Sequence, residues 1–212
     1  MLMFAGLGSW LGAVQAAGAE PPPAILILGD SLSAEYGLQR GSGWVALLTQ
    51  RLARERIAAQ VVNASISGET TSGGRARLPA LLQRHRPSHV VIELGANDAL
   101  RGLPLRSSRE NLSAMVSAAQ AQGAQVVLVG MQMPPNYGKR YAEDFAQLFQ
   151  DVAKARKCAL VPFFLRGVAD REDARDWFQH DGIHPLEKAH PVMLDNVWGA
   201  LKPLLLGRQA RT

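Results

Sequence analysis

The chain has 212 residues, 47% of them apolar and 19% charged, which suffices for one domain with a real core and excludes both wholesale disorder and a multi-span membrane protein. The formal charge of +5 comes from 23 Lys and Arg against 18 Asp and Glu. Basic residues such as Arg51, Arg54, Arg56, Arg84, Arg86, Lys154, Arg156 and Lys157 are scattered, and no run of five or six like charges forms a nucleic-acid arm. They read as solvated helix faces, so no nucleic-acid partner is expected.

Residues 1–19 stand apart from that domain. Leu2 to Val14 is apolar and free of charged side chains, and it runs into the small residues of Ala13 to Ala19, which offer cleavage sites after Ala16 or Ala19. This reads as a secretory signal. As a helix the apolar core would rise about 20 Å, short of the roughly 30 Å hydrocarbon thickness, and Glu20 with three prolines follows it. A permanent anchor is therefore the weaker reading. No basic residue precedes the run, which fits a start upstream of Met1. The lone cysteine, Cys158, excludes an internal disulfide and a multi-cysteine metal site, and leaves no thiol near the cleavage region for a lipid anchor. Cys158 itself reads as a small buried apolar residue. Residues 20–212 are expected to form a single domain in an exported, oxidising compartment.

Along that domain, short apolar runs alternate with helical patterns. Candidate strands are residues 24–28, 60–63, 89–94, 125–130 and 159–161, several of them continuously apolar, as strands covered on both faces should be. Helical spacing is predicted over 44–57, 75–86, 108–122, 141–157 and 191–206. The alternation implies a parallel sheet with right-handed crossovers and helices on both faces. Ligands in such a sheet bind outside the carboxyl ends of the strands, which directs attention to the residues just after each strand.

The first strand is followed by Gly29-Asp30-Ser31-Leu32-Ser33. A serine at a strand-to-helix turn shows its hydroxyl at the rim of the sheet, where a helix N-terminus adds backbone donors; Ser31 reads either as a nucleophile or as a helix cap. The Gly-x-Ser-x-Gly elbow of larger hydrolases is absent, because Ser33 stands where its second glycine would be. After the second strand comes Asn63-Ala64-Ser65-Ile66-Ser67-Gly68-Glu69-Thr70, in which Gly68 is either a turn glycine or a bare backbone donor. After the third comes Gly95-Ala96-Asn97-Asp98, where Asn97 either forms an Asx-turn or donates a side-chain N–H to the same pocket. Near the C-terminus stands Asp181-Gly182-Ile183-His184-Pro185. A carboxylate three residues before a histidine on one turn can accept from one ring nitrogen and leave the other free as a base; the alternatives are a capped turn before the last helix, or a metal cluster with His180 and His190.

These four blocks, in this order and at these strand ends, resemble the SGNH hydrolases, the GDSL esterase/lipase family. The wording of Asn63 to Thr70, Ala76-Arg77-Leu78-Pro79-Ala80-Leu81-Leu82 and Pro135-Asn136-Tyr137-Gly138 is similar to the bacterial exported acyl thioesterase, lysophospholipase and arylesterase branch. The resemblance implies an α/β fold: a three-layer α/β/α sandwich of about five parallel strands, flavodoxin-like in its winding. It implies a periplasmic or secreted monomer acting on a small acyl ester or thioester, with no metal and no organic cofactor.

With those residues converging, Ser31 is expected to attack the carbonyl carbon, His184 to take and return its proton, and Asp181 to hold the imidazole. The backbone N–H groups of Ser31 and Gly68 and the Asn97 amide would form the oxyanion hole. The resemblance implies that Ala99 to Pro104 is a mobile loop beside an acyl groove. Leu100, Leu103, Pro104, Met133, Pro134 and Tyr137, with Met131 and Pro135, are expected to line that groove; a plain surface loop is the alternative. Glu35 stands where the branch often has a small residue, and a charge there would narrow the groove or repel anionic head groups. Peripheral contact with lipid through the arginine-rich surface remains open, as do a carbohydrate acetyl esterase on the same fold and a metal-dependent hydrolase.

Overall fold

The computed structural model describes residues 22–209; the signal-peptide reading of residues 1–19 falls outside them. Five strands form one parallel sheet in the order β2-β1-β3-β4-β5, with β1 Ala24–Gly29, β2 Gln60–Asn63, β3 His89–Glu93, β4 Gln125–Val129 and β5 Ala159–Val161. The strands match their predicted spans to within a residue. Their middles are aliphatic and fully enclosed: Ile25 to Leu28, Val90 to Ile92 and Val126 to Val129 are buried, as the continuous apolar runs require of strands covered on both faces.

Among the described residues there are six α-helices, α1 Trp44–Arg54, α2 Thr71–His85, α3 Ala96–Leu100, α4 Leu105–Ala121, α5 Lys139–Arg156 and α6 His190–Gln209, and all but the short α3 pack on the sheet. α1 and α6 pack together on one face, while α2, α4 and α5 pack side by side on the other, completing the three-layer sandwich. Each buries a stripe at helical spacing. In α5 this is Phe145, Leu148, Phe149 and Val152, with the two phenyl rings edge to face at 5.2 Å.

The helices differ from the sequence-based spans by up to four residues at their ends, and α3 has no counterpart among those spans. α2 begins four residues early, because the Thr70 hydroxyl accepts from Gly73 N–H and the Asp98 carboxylate accepts from Thr71 N–H. The Asp98 bond crosses the fold and is invisible to local pattern. α1 starts where its predicted span does, but no helix N-terminus follows β1 directly, contrary to the strand-to-helix reading of the Ser31 turn. Residues 31–37 form only a run of turns, because Glu35 and Gly37 both have positive φ, +58° and +70°, and such a backbone cannot continue a right-handed helix. Ser31 therefore lacks the helix N-terminus that its position suggested, and α1 starts at Trp44.

The winding reverses at β1: the chain passes first to β2 on one side, then to β3 on the other. The crevice between β1 and β3 is the switch point of the sheet, and such crevices receive ligands.

Candidate active site

Ser31 follows β1 at that crevice. Its Oγ lies 2.9 Å from His184 Nε2, and His184 Nδ1 lies 2.6 Å from Asp181 Oδ2. Residues 153 positions apart in sequence are thus joined in one hydrogen-bonded line. The hydroxyl faces the imidazole, so the capping alternative for Ser31 is not the one its contacts express.

The histidine turn hangs between β5 and α6. An antiparallel bridge pairs Phe178 with Pro185, Gln179 N–H donates to the His184 carbonyl at 2.7 Å, and Leu186 N–H donates to the Trp177 carbonyl at 2.8 Å. Inside this loop Asp181 divides its carboxylate between two tasks. Oδ1 accepts from the backbone N–H groups of Ile183 and His184 at 2.9 and 3.0 Å, while Oδ2 takes the ring nitrogen. The capped turn and the imidazole partner, alternatives from sequence, are both present on the one side chain. Burial pushes the Asp181 carboxyl upward, but the His184 backbone and ring and the Ile183 N–H outweigh it and hold it at about 2. It is a carboxylate at neutral pH.

Asp30 repeats the arrangement at the nucleophile. Oδ1 accepts from Leu32 N–H at 3.0 Å, closing the turn on which Ser31 sits, and Oδ2 accepts from Asn97 Nδ2 at 2.9 Å. The amide nitrogen of Asn97 carries two hydrogens, so one is spent on Asp30 and the other stays available to a ligand. Asn63 does the same after β2: its Oδ1 accepts from Ser65 N–H, and its Nδ2 donates to the Ser33 carbonyl at 2.8 Å. Gly68 lies in the turn closed by Glu69 N–H on the Ile66 carbonyl, with a φ of +78° that favours glycine. Its carbonyl accepts from Arg101 Nη2 at 2.9 Å. The loops after β1, β2 and β3 are therefore tied to one another, and they carry Ser31, Gly68 and Asn97.

Beneath the nucleophile lies a polar cluster that motif reading did not single out. Glu93, at the end of β3, is buried; its Oε2 accepts from Ser33 Oγ at 2.7 Å and from Asp30 N–H at 3.3 Å, and Trp44 Nε1 donates to the same Ser33 hydroxyl at 3.1 Å. Gly29 makes room for this, since a Cβ there would sit 2.6 Å from Ser33 Oγ and 2.8 Å from Glu93 Oε2. Burial raises both carboxyls, Asp30 to about 6 and Glu93 well above the usual range, where the neighbouring Asp30 charge pushes it further. The available clue was a carboxylate in an otherwise apolar strand, His89-Val90-Val91-Ile92-Glu93. Asp98, next to Asn97, accepts from both the backbone and the hydroxyl of Thr71 and from Ser108 Oγ, pinning α3 to α2 and α4.

The other predicted positions separate into rim and core. Leu100, Leu103 and Tyr137 are exposed, as is Pro134, whereas Met131 and Met133 are buried in the core. Ala99 and Leu100 belong to α3 and not to a loop, and Leu103 N–H is held by the Asp98 carbonyl at 2.9 Å before Pro104 leads into α4. Glu35 does not reach into a groove: its carboxylate folds back to accept from the N–H groups of Gly41 and Gly43 at 2.8–3.1 Å. His190 is no partner of His184, since its Nδ1 accepts from Trp44 N–H at 3.0 Å under the core. Among the described residues, no three His, Cys, Asp or Glu side chains are grouped to hold a metal ion. Cys158 is half-buried and burial pushes its thiol up to about 11. A cleft between α2 and α4, lined by Pro79, Leu82, Arg86 and Ala118, presents neither nucleophile nor base.

A hydroxyl, an imidazole and a carboxylate in line, with amide donors gathered on adjacent loops, is the equipment of acyl transfer. Residues 27–192 match the GDSL-like lipase/acylhydrolase family. The chain belongs to this family. It is a hydrolase of carboxylic esters and thioesters. It is 54% identical to the esterase TesA of Pseudomonas aeruginosa over 85% of this chain and 89% of that protein, and 41% identical to the thioesterase 1/protease 1/lysophospholipase L1 of Escherichia coli K12 over 85% and 84%. The psychrotrophic esterase EstA of a Pseudoalteromonas species, solved inhibited by monoethylphosphonate, superposes with a TM-score of 0.80 at 43% identity, over 86% of this chain and 98% of that one. Among the described residues no helix is long and apolar enough to cross a membrane.

Proposed function

We propose that Ser31, His184 and Asp181 are the catalytic residues of a two-step acyl transfer to water. The observation that carries this is the unbroken line from Ser31 Oγ through the imidazole to the Asp181 carboxylate, at 2.9 and 2.6 Å. Ser31 Oγ forms the bond to the acyl carbon as its proton passes to His184 Nε2. The tetrahedral intermediate then collapses, and the same proton leaves with the alcohol or thiol. Water, deprotonated by His184, breaks the acyl-enzyme and returns the hydroxyl to Ser31. The Ser31 and Gly68 N–H groups and the second Asn97 hydrogen receive the negative oxygen, and Asp30 aims the Asn97 amide while Asp181 aims the ring.

Acyl esters and thioesters with a medium aliphatic chain are the proposed substrates. Six of the eight large apolar side chains exposed among the described residues, Tyr36, Ile66, Leu100, Leu103, Tyr137 and Ile183, lie on the segments around this end of the sheet, where an acyl chain would meet them. Peripheral lipid contact would use the same rim. Export is inferred from the apolar residues 1–19, with a monomeric mature enzyme, and N-terminal sequencing of the exported protein should find cleavage after Ala16 or Ala19.

The test of the mechanism is covalent labelling by an alkyl phosphonate followed by peptide mapping, with Ser31→Ala alongside. One phosphonyl group on Ser31 and none on the alanine variant is the expected result; equal labelling of both would overturn the assignment. Nitrophenyl esters of increasing chain length, compared with acyl-CoA and acetylated sugars, test the substrate class. Hexanoyl and longer chains should exceed acetyl, and a preference for acetylated sugars would replace the acyl groove with a carbohydrate site.

A further inference from the structure

On the reading of Ser31 and His184 given above, we propose that Tyr36 is a positioning residue that seats the His184 imidazole and steadies its cation, and that the loop of residues 35–43 is built to present it. The Tyr36 ring lies against the imidazole, centroids 4.3 Å apart and planes inclined by 36°. That is inside the roughly 6 Å over which an aromatic face attracts a cation. About half of the tyrosine is exposed, yet its backbone is held from both sides. Its N–H donates to the Ser31 carbonyl at 3.3 Å, and its carbonyl accepts from Gln179 Nε2 at 2.9 Å. Gln179 is also the residue whose N–H holds the His184 carbonyl. The ring, the nucleophile turn and the histidine turn are thus one connected unit.

The loop that carries the ring is costly in local terms. Glu35 adopts φ +58°, a conformation that residues with a side chain seldom take, and its carboxylate stabilises the bend by accepting the N–H groups of Gly41 and Gly43. The strained bend turns the next residue, Tyr36, toward His184 where a continued helix would have carried it elsewhere. When Ser31 gives up its proton the imidazole becomes a cation between the Asp181 carboxylate and the Tyr36 face. The ring attracts the cation and not the neutral base, so the contact strengthens as charge develops in the transition state. The face does this and the phenol hydroxyl is dispensable.

The experiment compares Tyr36→Leu with Tyr36→Phe in kcat and KM, on esters with aryl and with alkyl leaving groups. Leucine should lower kcat about five- to tenfold for both leaving groups with KM within about twofold, and phenylalanine should restore most of that loss. The downfield Nδ1 proton resonance of His184 should broaden in the leucine variant and sharpen again with phenylalanine. An unchanged kcat in Tyr36→Leu overturns the proposal, as does a loss confined to KM of aryl esters, which would make the ring a wall of the leaving-group site. Glu35→Gln should lower kcat about two- to threefold at unchanged KM; a fall in thermal stability alone would reduce the loop to an α1 cap and overturn its presenting role. Phosphonate labelling of Ser31 in each variant separates the two readings: label found elsewhere defeats the serine mechanism itself, whereas label on Ser31 with an unaltered kcat defeats only Tyr36.

Discussion

Asp30 and Asp181 occupy turns at opposite ends of the chain and are built alike, yet their carboxyls sit at opposite ends of the carboxylate range. Each spends one oxygen on the backbone of its own turn and the other on a side chain of the active site, Asn97 for Asp30 and His184 for Asp181. Asp181 lies at the surface beside a group that becomes cationic, and its carboxyl falls to about 2 against the pull of burial. Asp30 is enclosed next to Glu93, and burial lifts it to about 6. The two carboxyls differ in how their bonds balance burial: at Asp181 the His184 backbone and ring and the Ile183 N–H together outweigh it, whereas at Asp30 burial outweighs the bonds from Leu32, Glu93 and Asn97.

The largest effect is expected at Asp181. Asp181→Asn keeps the turn oxygen but removes the charge opposite His184, and turnover should fall by about 10³- to 10⁴-fold, as when this carboxylate is neutralised in other Ser-His-Asp sets; a loss under tenfold would mean the ring needs no anionic partner. Next, Asn97→Ala removes an oxyanion donor, worth roughly 2.7–4 kcal/mol of transition-state stabilisation or about a hundredfold and more in kcat. Circular dichroism should find its fold intact. Asp30→Asn keeps one oxygen for Leu32 N–H but sets an amide N–H against the Asn97 amide, so the expected loss is about tenfold, through a weaker hold on Asn97. Equal effects for Asp30→Asn and Asp181→Asn would erase the distinction drawn above.

The smallest effect lies in stability against pH. A carboxyl raised in the native state binds a proton that the unfolded chain has already released, so its stabilisation is complete below the unfolded value and declines as pH rises through the native one. For Glu93 the decline starts near 4.5 and has a slope of at most about 1.4 kcal/mol per pH unit. Denaturant melts of wild type and Glu93→Gln from pH 4 to pH 8 should diverge in favour of glutamine as pH rises. His190 works in the opposite sense, because burial lowers it to about 4 and its stabilisation is lost as pH falls from about 6.5. It is common to both proteins and cancels in the difference. Parallel curves would mean that Glu93 ionises without cost. Asp181 contributes in the acid range alone, its stabilisation disappearing as pH falls below 3.8 toward 2.

Much of this site is legible in the chain itself because its turns are local. Asp30, Asn63 and Asp181 each bond a backbone N–H two residues ahead, a contact that needs only the adjacent sequence. The motifs around Ser31, Gly68, Asn97 and His184 could be found for that reason. The second bond of each side chain reaches residues 30 to 67 positions away, or, for Asp181, aims a ring at a hydroxyl 153 positions distant. Glu93 and Trp44 leave no local signal because they act on the nucleophile turn from underneath, and an acid within an apolar strand has no partner in its own neighbourhood of sequence. The course of Glu35 is hidden for a related reason. A carboxylate after a nucleophile turn suggests a charge in the groove, whereas the positive φ that folds it back onto Gly41 and Gly43 follows from how the loop closes.

The alternation of strand and helix, the five strands, the serine, glycine and asparagine that follow them and the Asp181–His184 turn are legible in the chain, since periodicity and turn chemistry are short-range and written in neighbouring residues. Which hydroxyl faces the imidazole, which carboxyls burial raises, and how a strained glutamate lays Tyr36 on His184 follow from the wound sheet. These depend on desolvation and on bonds between loops that meet only when the sheet is wound.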